Sequence, residues 1–219
     1  MKKKIIICFN LLLFCASALL MSCANKKNIK SDEIQQKNSF NPQTIKSADF
    51  SIGEKNIILE AGEYKINFDL KDGVSVIGAG IGKTILRPEK RDKPVITKSG
   101  TGKISNLSII DGGDNWDCNG LYLTNSNAEV SGCEIKKNKF SGIYASFFSG
   151  KIINCIIEEN EFDGIKLYNC QNALIFDNII KNNNDDGIQS LHSYITIDSN
   201  LYKAIKVRPS NYGMTPIQK

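Results

Sequence analysis

Two short segments, Phe162-Asp163-Gly164-Ile165 and Asn184-Asp185-Asp186-Gly187-Ile188, carry three carboxylates, Asp163, Asp185 and Asp186, about one repeat apart. Carboxyl groups held at that sort of separation can trade a proton across a glycosidic bond, one as general acid and the other as base or nucleophile. Asp before Gly is also ordinary turn chemistry, and a repeated turn repeats it with no catalytic purpose. A second set of candidates shares the same rhythm: Tyr122, Tyr144, Lys166 and Gln189 each lie two residues after one of Gly120, Gly142, Gly164 and Gly187. Tyr rings offer stacking surface to a pyranose face, and Lys166 suits an acidic sugar. Asp111-Gly112-Gly113-Asp114-Asn115-Trp116-Asp117-Cys118 forms a third group, in which Asp111, Asp114 and Asp117 offer hard oxygen ligands for Ca²⁺ and Trp116 a ring for a sugar.

Other motifs carry less. Gly78-Ala79-Gly80-Ile81-Gly82-Lys83-Thr84 invites a phosphate loop, but the required first Gly is Ile77 and strand repeats follow in place of a helix N-terminus. Nucleotide binding is excluded on that ground. The chain holds one His and three Met, too little for an imidazole-rich or soft-metal site. That His, His192, shares a repeat column with Asn125, Phe147 and Asn169 near a turn and reads as polar surface. Cys133 and Cys155 share another position, and coils stacked ~4.8 Å apart bring them near each other. In-register side chains rarely meet the torsion of a disulfide, so they are expected as buried thiols.

These side chains need a scaffold that repeats with them. Gly120, Gly142, Gly164 and Gly187 are spaced 22, 22 and 23, and each opens a period-two apolar alternation such as Gly142-Ile143-Tyr144-Ala145. Ile135, Ile157 and Ile180 mark a second alternation, and Asn138, Asn160 and Asn183 recur between the two. A unit of ~22 residues built from short strands has no room for a helix, so each strand must pair in parallel with its copy one unit later. The result is a solenoid. Leu121, Ile143, Ile165 and Ile188 form one interior ladder and Leu123, Ala145 and Leu167 another, while the Asn residues bond up and down the stack. Side-chain alternation turns Tyr122, Tyr144, Lys166 and Gln189 outward. The column just before each Gly, Asn119, Ser141, Asp163 and Asp186, is expected to face outward as well. Insertions in solenoids project from one face, which places the 111–118 segment, about four residues longer than the period, as a loop.

Gly-Ile-x-Leu followed by Asn-x-Ile-x-x-Asn resembles the repeats of right-handed parallel β-helix, or pectin-lyase-like, proteins. The stretches Ile57-Ile58-Leu59-Glu60-Ala61-Gly62-Glu63-Tyr64 and Gly73-Val74-Ser75-Val76-Ile77-Gly78 are similar to the first coils of secreted members. The resemblance implies an all-β right-handed parallel β-helix of about six to seven coils, and covers roughly residues 52 to 207. The three Asp resemble the Asn-Thr-Asp-Gly and Asp-Asp motifs of polygalacturonases. The Gly-His-Gly and Arg-Ile-Lys elements of those enzymes have no counterpart here: Ala204-Ile205-Lys206 lacks the Arg and His192 comes too early. The one-coil offset of Asp163 and Asp186, ~5 Å, is near the ~5 to 5.5 Å of a retaining glycosidase, whereas polygalacturonases invert with ~6.5 to 9.5 Å.

The N-terminus sets the expected location. A basic start, Lys2 to Lys4, precedes a mainly apolar stretch at 5–20, short for a membrane span of about 20 residues. It runs into Leu20-Met21-Ser22-Cys23, which resembles a bacterial lipobox and makes Cys23 the expected lipidation site. Residues 1–22 are read as the signal peptide, 23–50 as a polar tether with a possible N-terminal cap, and 51–219 as the β-helix domain. The chain has 28 Lys+Arg and 23 Asp+Glu, so loss of the three leader lysines leaves 25 − 23 = +2, too weakly basic for a nucleic-acid binder. Arg208-Pro209 and Pro216 are positioned to blunt the last edge. The expected protein is a lipid-anchored cell-envelope β-helix, at the outer membrane or cell surface, that binds polysaccharide or a neighbouring surface protein. A polysaccharide lyase, glycoside hydrolase or epimerase is the alternative, and an assembly unit the third.

Overall fold

The computed structural model describes residues 55–115, 118–203 and 207–209, together with a two-residue strand at Gln43–Thr44. The leader, Cys23, most of the tether, Trp116, Asp117, residues 204–206 and Pro216 lie outside the described residues. Among the described residues no helix is long and apolar enough to cross a membrane.

Each turn of the chain contributes three short strands, and every strand pairs in parallel with the corresponding strand of the turns before and after it. Leu121–Ser126, Glu129–Ser131 and Glu134–Lys136 make one turn; Ile143–Ser146, Lys151–Ile153 and Ile156–Glu158 make the next. The outcome is a parallel β-solenoid of about six turns, with walls of eight, seven and seven strands. The eight-stranded wall, ending at Leu201–Lys203, is called the first sheet. The second runs from Phe68–Leu70 to Val207–Pro209, and the third from Asn56–Ile58 to Tyr194–Asp198.

The interior ladders stand where period-two alternation puts them. Leu121, Ile143, Ile165 and Ile188 are consecutive register partners on the second sheet, and Ile135, Ile157 and Ile180 on the first; all are fully buried. The apolar rule has polar exceptions among the described residues: Ser190, in register with Leu167, and, more sharply, Lys98. Lys98 lies between Leu70 and Leu123 in register, yet is fully buried. Its Nζ donates to the carbonyl oxygens of Lys71 (2.8 Å) and Ser99 (2.5 Å), and burial lowers its pKa against the pull of Asp72. Gly102 lets the chain close over it: at φ 121° a Cβ there would stand 2.4 Å from the Val74 carbonyl oxygen.

The bends carry the polar stacking. Asn138 Nδ2 donates to Asn160 Oδ1 (2.8 Å), and Asn160 Nδ2 to Asn183 Oδ1 (2.9 Å). Each Asn oxygen also accepts the backbone N–H of the turn below: Gly112 on Asn138, Asn138 on Asn160, Asn160 on Asn183. Buried amides are satisfied only while the turns stay in register, so the ladder fixes the coil spacing as well as the bend. A shorter ladder, Asn178 to Asn200, occupies the next bend. Cys118, Cys133, Cys155 and Cys170 are buried and are not joined by disulfides. The Cys133 thiol is held well above its ordinary pKa by the adjoining Cys155 thiol and by burial.

Candidate functional site

The first-to-second-sheet bend and the outer face of the second sheet bring together most of the residues with chemistry. Tyr122, Tyr144, Lys166 and Gln189 are register partners on successive turns and all are partly exposed. The two phenol rings lie parallel, centroids 5.3 Å apart with 5° between planes. Each ring therefore covers one face of the other, so the pair meets a ligand mainly through ring edges and hydroxyls, a difference from the stacking role expected for them.

The column just before each Gly is a correction. Asn119, Ser141, Asp163 and Asp186 are buried, with Asp163 at 1% and Asp186 at 0% exposure. Alternation holds only inside extended strands, and these residues precede the strands that begin at Ile165 and Ile188. There the chain bends and tucks the short polar side chains against the next turn, where Asp163 Oδ1 accepts the N–H of Asp186 at 3.1 Å. Asp185 is exposed. Carboxylate oxygens of Asp163, Asp185 and Asp186 lie within 4.8 Å of one another, in agreement with the one-coil spacing read from the sequence.

Lys166 Nζ stands 4.0 Å from Asp163 Oδ2, and Gln189 Nε2 3.4 Å from Asp186 Oδ2. Burial raises the Asp163 pKa from 3.8 to about 6, and the Asp185 and Asp186 charges push the same way; the Asp186 N–H and Lys166 oppose them. A buried carboxyl group raised to about 6, with two further Asp side chains within reach, is an arrangement that acid–base chemistry can use. The same oxygens match the donor class of a hard divalent cation, with the Lys166 ammonium competing for Asp163. Phe140 and Phe162 stack at 5.1 Å beside this group. Their spacing of 22, the repeat period, is the only mark the sequence gives of this pair.

The insertion contributes differently. Arg87 Nη1 donates to Asp111, and Arg91 donates to both oxygens of Asp114, at 2.7 and 2.8 Å. A calcium ion at these two carboxylates would compete with the guanidinium groups of Arg87 and Arg91. Trp116 and Asp117 fall outside the described residues, as does Cys23.

Comparison with known proteins bears on the scaffold. Solved structures with similar folds include ORF18 of Geobacillus virus E2, at 17% identity and a TM-score of 0.55, covering 66% of this chain and 33% of that one. The chain thus spans about a third of ORF18. The A-modules of the Azotobacter vinelandii mannuronan C-5 epimerases AlgE4 and AlgE6 also match. AlgE4 shares 12% identity at a TM-score of 0.27, covering 66% of this chain and 69% of that one. AlgE6 shares 11% at 0.26, covering 68% of each. No curated protein matches the sequence significantly. The model of the right-handed beta helix region matches residues 94–215, more than half of the chain and the span that holds both polar ladders, and the chain belongs to that family.

Proposed function

We propose that the protein is a carbohydrate-binding module of the bacterial cell envelope that presents the second-sheet face and its acidic bend to a surface polysaccharide. The observation that carries this reading is the unbroken column Tyr122, Tyr144, Lys166, Gln189, whose hydroxyl, ammonium and amide groups repeat at the spacing of the turns beside three carboxylates. Such a row meets an extended polymer at several points, so modest contacts add along it. Lys166 favours an acidic sugar. Binding to a panel of polygalacturonate, alginate, xylan and glucan tests the reading: Tyr144→Ala and Lys166→Ala are each expected to weaken the bound member by about tenfold, worth 1.4 kcal/mol. Affinities left unchanged in both variants reject this face.

A second reading, a polysaccharide lyase, glycoside hydrolase or epimerase, is favoured by the Asp163 carboxyl at about 6 within 4.8 Å of its neighbours. New reducing or unsaturated ends that vanish in Asp163→Asn while binding persists would establish it.

For location, the proposal is an acyl chain on Cys23, with residues 23–50 as tether. Fatty-acid labelling of the protein is expected to be lost in Cys23→Ala, and label that survives the substitution rejects the anchor.

A further inference from the structure

Where the chain leaves the second sheet for the third, it opens a groove of about 300 Å³ lined by Phe147, Phe148, Ser149, Asn169, Gln171 and His192. Irregularities of the repeat meet there. The bend column Asn125, Phe147, Asn169, His192 adopts φ of 46° to 52° throughout. Asn tolerates that left-handed conformation, whereas a bulky aromatic side chain is out of place in it. Phe147 nevertheless occupies it and leaves its side chain in solvent, at 55% exposure, so burial does not compensate the strain. The extra residue that lengthens the Gly164 to Gly187 repeat to 23 is placed at the same corner. Register with the following strand shifts between Gln171 and Ala173, and the intervening Asn172 has φ 58°. Bulges re-aim side chains, and insertions in solenoids gather on binding faces. Two further aromatic residues stand on the following turns, Tyr168 edge-on to His192 at 5.9 Å and Tyr194 half-exposed.

We infer that this corner is a second saccharide subsite, taking a single neutral pyranose ring. Phe147 supplies an apolar surface for the C–H face of the ring; Asn169, Gln171 and Ser149 supply amide and hydroxyl groups for its hydroxyls. No Asp, Glu, Lys or Arg lines the groove, so it lacks the Lys or Arg that would pair most firmly with a uronate, and its amide and hydroxyl groups suit a neutral ring. Its volume lies at the lower end of ligand sites, ~300 to 1,000 Å³, which suits one ring and not a peptide segment. The subsite and the acidic bend lie at opposite ends of the strand Ile165–Tyr168, far enough apart for substitutions in one to leave the other intact. The inference shares with the proposed function only the premise that the ligand is a glycan.

Calorimetric titration with cello-, manno- and N-acetylchito-oligosaccharides, beside oligogalacturonate, on the parent and Phe147→Asn proteins tests it. Asn restores the residue found at positions 125 and 169, so the variant is expected to fold with an unchanged or higher melting temperature. At least one neutral series is expected to bind and to weaken about tenfold or more in Phe147→Asn, with oligogalacturonate unaffected. Unchanged neutral affinity in Phe147→Asn overturns the subsite, as does binding of oligogalacturonate alone, which leaves the second-sheet reading standing. Failure of every saccharide overturns both. Self-association of the parent that disappears in Phe147→Asn assigns the groove to a second copy of the chain and likewise overturns it.

Discussion

Ile165→Ala is expected to destabilise the protein by about 2 to 5 kcal/mol, whereas Lys166→Ala, one residue on, is expected to change it by no more than roughly 0.5 kcal/mol. Ile165 is fully buried between Ile143 and Ile188 in the same ladder, so truncation removes contacts in its own turn and in both neighbours. The stack is held in place by paired backbones on either side, and the cavity can collapse only slightly. Lys166 faces outward, with its side chain 38% exposed and its ammonium 4.0 Å from Asp163, a contact weakened by solvent. Chemical denaturation of both variants measures the difference. Comparable losses at the two positions would reject the assignment of inner and outer faces.

Asp163→Asn is expected to stabilise the protein above pH 6. In the folded chain Asp163 stands at about 6, against 3.8 for the ordinary carboxyl group. Between those values the folded state keeps a proton that the unfolded state has released, so stability is full below about pH 4 and declines as pH rises through 6. The difference of about 2 units corresponds to about 3 kcal/mol at 1.36 kcal/mol per unit. Asn keeps the oxygen that accepts the Asp186 N–H and removes the buried charge. Denaturation midpoints against pH are therefore expected to diverge from the parent above pH 4, with the variant higher, and to level off above pH 6. Parallel curves across that range would show that Asp163 carries no such burden.

The sequence alone was sufficient for the solenoid, because its evidence is periodic. A spacing of 22 with apolar alternation leaves parallel stacking as the only way to bury Leu121, Ile143, Ile165 and Ile188 together, and the in-register Asn residues announce the ladder that holds the turns. The outward column through Tyr122 and Lys166 followed from the same alternation. Period-two reasoning stops where strands stop, and there the tertiary structure decided. It buried Asp163 and Asp186 at a bend that looked exposed, and it turned the two tyrosines face to face. It also placed Lys98 in an apolar ladder, because backbone carbonyls of Lys71 and Ser99 happen to converge on its ammonium. Nothing in the spacing of Phe147 reveals that its bend is left-handed or that a one-residue insertion on the next turn opens a groove beside it. Strand direction is set by local alternation and hydrophobic burial, whereas the orientation of a side chain at a bend depends on the backbone of the turns stacked above and below, which only the closed coil supplies.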